Sequence, residues 1–310
     1  MSREAKNWFL LITLAGVWGS SFILMKHGMF SLDGHPIFSD GQVASLRIGI
    51  AGLILSPFAI RALKQIQTGK EFLSLAIVGI LGNLIPAYLF TYAETGISSG
   101  YAGMLNSFAP IFTMIVGILV FKNKLTFIQW AGLFIGTIGI ILLILADDAG
   151  SKNLKITGSW IHVFAIVIAT FFYGVSLNTI KFTLQKFKAF EITSLALFIV
   201  MFPAIITGGF LNTLETIQTN PYALEGLGFI LILSIVGTAI SLILYNKLIQ
   251  SSSTLFASSV TYFMPIVAVF IGLSFGEHIN FGQVGAMIVV LSGVFIANYW
   301  MILFKKKGII

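Results

Sequence analysis

The sequence repeats itself at half its length. Displaced by 155 residues, Gly19 falls on Gly174, Lys26 on Lys181 and Gly82 on Gly237. Ser98, Ala102, Phe108, Pro110, Ile111 and Gly117 then fall on Ser253, Ala257, Phe263, Pro265, Ile266 and Gly272. Each copy is almost wholly apolar and has room for five membrane helices. Five is odd, so successive crossings leave the second copy upside down relative to the first. Inverted membrane repeats are the ordinary construction of secondary transporters. The expected fold is therefore all-α, with ten transmembrane helices in two inverted five-helix repeats.

Composition supports a membrane setting. Of 310 residues, 57% are hydrophobic and only 9% charged, against roughly 25% charged in a soluble domain. The 31 glycines suit closely packed membrane helices. There is no cysteine, which excludes disulfides, thiolate metal sites and a cysteine nucleophile. Residues 7–25 read as a first helix and not as a cleaved signal, because the apolar run is too long and no small-residue cleavage site follows.

A helix needs about 20 apolar residues to cross the hydrocarbon core. Nine uncharged runs qualify: 7–25, 72–93, 95–121, 125–146, 156–180, 192–214, 226–246, 248–276 and 279–304. A tenth, 41–60, is interrupted only by Arg47. The first repeat is expected over 1–148 and the second over 156–304, with a basic cytoplasmic tail at 305–310. Basic residues gather in alternate connections: Arg3 and Lys6, Arg61, Lys64 and Lys70, Lys122 and Lys124, Lys186 and Lys188, Lys247, and Lys305 to Lys307. Asp33, Asp40, Glu94, Asp147, Asp148, Glu215, Glu225 and Glu277 fall on the other side, with only Lys152 and Lys155 as basic loop residues there. The positive-inside rule then puts both termini in the cytoplasm. It also accounts for the net charge of +7, so no nucleic-acid partner is expected.

The copies differ in detail. The link HGMFSLDGHPIFSD in the first half is longer than its counterpart FTLQKFKAF. Beyond the two prolines the register slips by one, so Gln129 and Gly139 align with Gln283 and Gly293. The first helix reads GVWGSSFILMK and the sixth FFYGVSLNTIK. The fourth and ninth contain SSGYAGMLNSFAPIF and SSTLFASSVTYFMPIV; the fifth and tenth begin KLTFIQWAGLFIGTIGI and HINFGQVGAMIVVLSGV. Together these strings resemble the EamA repeat of the drug/metabolite transporter superfamily, over nearly the whole chain. Leu46-Arg47 fits the second-helix element of that pattern, and Glu277-His278 looks family-like. Lys122-Asn123 and the Leu195-Ala196 of the seventh helix depart from it. The resemblance implies a ten-helix permease, similar to bacterial inner-membrane exporters, that moves small organic metabolites, often amino acids, by alternating access.

Polar residues at membrane depth must face a partner or a wet cavity. Trp18 and Phe22 on the first helix and Tyr173 and Asn178 on the sixth are expected to line a central cavity. So are Asn83, Tyr88 and Tyr92 on the third, Asn106 and Ser107 on the fourth, Tyr245 on the eighth, and Ser259 and Tyr262 on the ninth. For each of them hydrogen bonding between helices is the alternative. The path is therefore expected along helices 1, 3, 4, 6, 8 and 9. Gly19 and Gly174 allow close backbone approach, and Pro110 and Pro265 are expected to kink their helices and free a carbonyl each. Arg47 is expected as a structural anchor, with substrate contact as the alternative; Lys181 and Lys26 are ordinarily snorkelling anchors, Lys26 being the better candidate for a gate. Glu94 reads as a solvated loop acid or, alternatively, the proton-sensitive group.

An intramembrane enzyme is not expected. His27, His35, His162 and His278 are scattered, and no H-E-x-x-H, G-x-S-x-G, aspartate pair or nucleotide loop occurs. Neither a cofactor nor a metal is called for. A passive channel or lipid translocator is the rival class, and a drug or vitamin permease the rival within carriers. The aromatic and neutral polar candidates point to a neutral or zwitterionic small molecule, and the apolar belt requires lipid while setting no oligomeric state.

Overall fold

The computed structural model describes residues 3–122, 126–150, 159–276 and 280–306. Asn123, Lys124, Lys152, Lys155, Glu277 and His278, the expected start of the second repeat at 156 and the tail residues 307–310 lie outside the described residues. Eight helical segments are long and apolar enough to cross a membrane. They are α1 (Arg3–Met29), α2 (Asp40–Gln65), α3 (Gly69–Glu94), α4 (Ser99–Leu119), α6 (Trp160–Thr183), α7 (Ala189–Phe210), α8 (Ala223–Ser251) and α9 (Phe256–Ser274). Two further helices, α5 (Phe127–Gly150) and α10 (Phe281–Lys306), complete the bundle. No strand occurs among the described residues. Large apolar side chains such as Phe134, Phe202 and Phe270 stand more than half exposed, as lipid-facing residues of a multi-pass membrane protein do.

The two halves pack reciprocally. A Cβ built on Gly19 of α1 would lie 2.6 Å from Val267 Cβ on α9. Its repeat partner Gly174, on α6, meets Phe112 on α4, where a Cβ would lie 2.8 Å from the carbonyl carbon. Phe112 is itself the repeat partner of Val267. Gly82 of α3 packs on Ser176 of α6, and Gly237 of α8 on Ser21 of α1, again as partners. Gly139 of α5 meets Val290 of α10, while Gly293 meets Gly136. Contacts that exchange in this way define a pseudo-two-fold relation, as in an isologous interface. Small residues at these crossings let the backbones meet, the usual mode of helix association in lipid. The first helix of each copy thus docks on the fourth of the other.

Local signals agree with the repeat. Ser98 accepts the Tyr101 N–H at 3.2 Å and starts α4; its partner Ser253 accepts the Phe256 N–H at 3.1 Å. A side-chain oxygen at the N-cap satisfies an amide that the helix cannot. Both α3 and α8 carry a π-helical turn at matching depth, Ile80–Leu84 and Ile235–Ile240.

Connections at the two ends are tied differently. At one end, Lys186 pairs with Glu71, Gln65 donates to Glu191 (2.7 Å) and Arg3 donates to the Ser251 carbonyl (2.9 Å). At the other, the long link of the first copy folds back on itself through a bridge between Phe30 and Pro36. Asn220 donates to the carbonyls of Pro36 (3.0 Å) and Ile37 (3.2 Å), and the His35 ring stacks on Tyr222. A short helix, Thr213–Thr219, follows α7 there; the sequence reading had no element at that place.

Candidate functional site

A cavity of about 110 Å³ lies where the two copies meet. Residues from α1 to α4 and from α6 to α9 line it; among the described residues, α5 and α10 contribute none. The expectation of helices 1, 3, 4, 6, 8 and 9 thus omitted two walls. From α2 come Arg47 and Ile48, and from α7 come Thr193 and Ala196.

Two aromatic pairs bridge the copies. Trp18 packs edge-on against Tyr245 with centroids 4.7 Å apart, and Phe90 stacks on Tyr173 at 5.8 Å. These are repeat partners, since Trp18 corresponds to Tyr173 and Phe90 to Tyr245. Phe22, 5.9 Å from Phe90, extends the apolar wall. The Trp18 indole N–H donates to the Gly237 carbonyl at 2.9 Å, which fixes the ring and satisfies its polar edge.

The π-turns build the polar part. An extra residue in a turn shifts the hydrogen-bond ladder and leaves a carbonyl without its ordinary amide. Asn83 Nδ2 donates to the Val78 carbonyl (2.9 Å), and its partner Thr238 Oγ1 donates to the Leu233 carbonyl (3.0 Å). Each side chain reaches back five residues, so each stabilises its own bulge. Asn83 and Thr238 both line the cavity, as do Gly82 and Gly237 beside them. Thr238 Oγ1 also accepts from Arg47 Nε at 2.9 Å. On the far wall Asn246 Nδ2 donates to Thr193 Oγ1 at 2.8 Å.

Of the expected cavity residues, Trp18, Phe22, Asn83, Asn106, Tyr173 and Tyr245 stand in the cavity wall. Six others lie elsewhere. The Tyr88 hydroxyl shares a 2.7 Å hydrogen bond with Ser45 of α2. Tyr92 stacks on His162 at 4.9 Å. Asn178 is fully buried and donates to the carbonyls of Thr113 (3.0 Å) and Gly174 (2.8 Å), tying α6 to α4. Ser259 donates to the Phe256 carbonyl at 2.6 Å, while Ser107 and Tyr262 are buried within α4 and α9. For Tyr88 and Asn178 the alternative of hydrogen bonding between helices describes the geometry.

Several other expectations change. Pro110 does not kink a continuous helix: a 3-10 turn, Asn106–Phe108, breaks α4 just before it, and Pro110 opens the helix Ala109–Leu119. The carbonyl it would free, that of Asn106, accepts the Ala109 amide instead, so the tighter turn satisfies it locally. Pro265 does lie inside a helix, Val260–Ser274. Glu94 is not a solvated loop acid. It is 2% exposed, and, two residues on, Gly96 rests against the His162 ring of α6. Lys181 anchors a helix end, donating to the carbonyls of Ile249 (3.0 Å) and Ser252 (2.5 Å) at the end of α8, where a cation is favoured. Lys26 is half-buried at the end of α1. Arg47 faces the cavity, a signal the sequence carried in the isolation of its charge but not in any spacing.

The lining, apolar and aromatic with a few polar groups and Arg47, suits binding of a small organic molecule. No cluster of His, Cys, Asp or Glu able to hold a metal occurs among the described residues. Comparison with known proteins bears on what such a cavity does. The EamA-like transporter family matches the chain twice, over residues 6–145 and 160–299. The chain is 26% identical, over 97% of its length and 93% of the other's, to the uncharacterized inner membrane transporter YedA of Escherichia coli K12. It is 26% identical to an uncharacterized transporter in the sor 3′ region of Acidianus ambivalens, over 82% of this chain and 92% of that protein. It is 24% identical to the S-adenosylmethionine/S-adenosylhomocysteine transporter of Chlamydia trachomatis, over 87% and 82% respectively. A solved crystal structure superposes with a TM-score of 0.63 at 14% identity, covering 96% of this chain and 98% of that one; it speaks for the fold alone.

Proposed function

The chain belongs to the EamA-like transporter family and is a multi-pass membrane transporter, and from that premise we propose that it carries amino acids or related small metabolites outward through the central cavity by alternating access. One observation carries the reading: the cavity lies at the pseudo-two-fold meeting of the two copies, lined from eight helices by aromatic, aliphatic and neutral polar groups and by Arg47. A site on the relation between repeats is reached from either side when one copy rocks against the other. The repeats 1–148 and 156–304 are the rocking bodies in this reading, with α5 and α10 outside the path.

The basic end that gathers Arg3, Lys186 and Lys247 is the cytoplasmic one by the positive-inside rule, which puts both termini inside. In a bacterium the membrane would be the inner one. The Chlamydia relative's named solute joins an amino-acid group to an aromatic base, so S-adenosylmethionine belongs beside the amino acids as a second candidate.

Counterflow in proteoliposomes tests the proposal. Vesicles loaded with an unlabelled solute take up the labelled one transiently if a carrier exchanges them. Saturable exchange of a subset of amino acids, or of S-adenosylmethionine, is expected. Linear, unsaturable flux of every solute would replace the carrier by a channel. No exchange of any of them would remove the substrate assignment.

A further inference from the structure

The cavity wall is symmetric in shape but not in charge. Arg47 and Ala196, each eight residues beyond the N-cap of its helix (Ser39 and Lys188), correspond across the shorter second link and both line the cavity. Arg47 is the one cation there, and no acid lines the cavity among the described residues. It stands about 11 Å along α2 from Asp40, at 1.5 Å per residue, well inside the apolar span. Its Nε is pinned by Thr238 at 2.9 Å, and Nη1 points at the Met25 sulfur at 3.5 Å, a weak acceptor. Among the described residues, hydrogen bonds run only from Nε and Nη1, and Nη2 has none. A half-buried arginine at membrane depth without a bonded carboxylate is expensive, and its planar fork matches a carboxylate in two parallel hydrogen bonds.

Asn106 supplies a second observation. It is 2% exposed and lines the same cavity. Its Nδ2 faces the Met264 sulfur at 3.4 Å, and its Oδ1 has no hydrogen-bond partner among the described residues. A neutral acceptor therefore stands open on α4, while a charged donor stands open on α2. The rings of Trp18, Phe90, Tyr173 and Tyr245 line the same cavity.

We propose that this cavity selects organic carboxylates with a flat apolar body, the carboxylate seated on the Arg47 fork and any amine received only by the neutral Asn106 oxygen. The inference rests on the central cavity being the substrate site and adds the chemistry that recognises the solute. The carboxylate is obligatory and the amine secondary. An amine alone meets a cation and finds no counter-charge.

Thermal melting of the purified full chain in detergent at pH 7 tests this, with three probes: L-phenylalanine, 3-phenylpropionate and phenethylamine. The first two are expected to raise the melting temperature in a saturable way, and phenethylamine to leave it unchanged. Arg47→Gln should weaken binding of both carboxylates by about tenfold to a hundredfold, the worth of a hydrogen bond to a charged group. Arg47→Lys keeps the charge but not the fork, so it should retain the preference for carboxylate over amine at lower affinity. Should Arg47→Gln not fold, Thr238→Val, which unpins the guanidinium, is expected to weaken both carboxylates in the same way. Stabilisation by phenethylamine equal to that by 3-phenylpropionate, undiminished carboxylate binding in the folded variants, or no binding of any probe overturns the proposal. The site itself is judged separately: if any probe binds and Trp18→Ala removes the effect, the cavity reading stands whatever Arg47 does.

Discussion

Set side by side, the two halves of the cavity wall share one geometry and differ in chemistry. Trp18 and Tyr173 occupy the same place, as do Asn83 and Thr238, and Phe90 and Tyr245. Backbone features match: both third-position helices carry a π-turn, and both first-position helices dock through a glycine. Yet one half offers Arg47 where the other has Ala196. The features identical in both copies are backbone ones, the glycine docking sites and the π-turns, whereas the side chains that differ, Arg47 against Ala196 and Asn83 against Thr238, face the cavity. Packing therefore constrains both copies alike, whereas the solute, which has no two-fold symmetry, meets two unlike walls.

The largest expected effect breaks the shared part. Leucine at Gly19 or Gly174 should abolish recovery of folded protein, read as the monodisperse peak in fluorescence-detected size exclusion. Alanine at either should cost about 1–3 kcal/mol, the range for overpacking, with Gly174→Ala the worse. At Gly174 the added Cβ meets backbone of Phe112 and Thr113, at Gly19 chiefly the Val267 side chain. A leucine tolerated at one site and not at the other would show that the packing is not reciprocal.

A smaller effect sharpens the differing part. Asn83→Leu and Thr238→Val each leave a π-turn carbonyl unpaired, and each should lower stability by about 1–3 kcal/mol in a thermal melt. Thr238 also holds Arg47, so Thr238→Val should depress exchange further than Asn83→Leu at equal folded protein. Equal transport loss would mean the arginine pin has no role.

The smallest expected effect concerns residues outside the cavity. Asn178→Ala removes one hydrogen bond from α6 to α4 and one within α6, and loss of the interhelical bond should cost about 0.6 kcal/mol, an average for such bonds in membrane proteins. A loss of solute binding in protein that melts normally would return Asn178 to the site.

Much of this architecture was legible in the sequence. The offset that aligns Gly19 with Gly174 and Pro110 with Pro265 already contains the docking pairs, because close approach demands the same small residue twice. The aromatic partners Trp18 and Tyr173 stood out by their depth in the membrane. The π-turns did not, since an extra residue in a helical turn needs no special side chain; Asn83 and Thr238 reveal it only when their bonds to Val78 and Leu233 are seen. A lone charge in a span ordinarily anchors its helix, so the place of Arg47 in the cavity wall beside Thr238 of α8 needs the fold to be seen. A charged residue at a helix end is ordinarily solvated, whereas Glu94 is buried.

The most direct test of the central claim compares the matched aromatic pair in counterflow. Trp18→Ala and Tyr173→Ala, one from each copy, should each lower saturable exchange by about tenfold or more, a difference of about 1.4 kcal/mol, in protein that folds normally. Trp130→Ala, on the half-exposed face of α5, serves as the lipid-facing control and should exchange like the wild type. Wild-type exchange in both cavity variants would contradict transport through the cavity between the two copies.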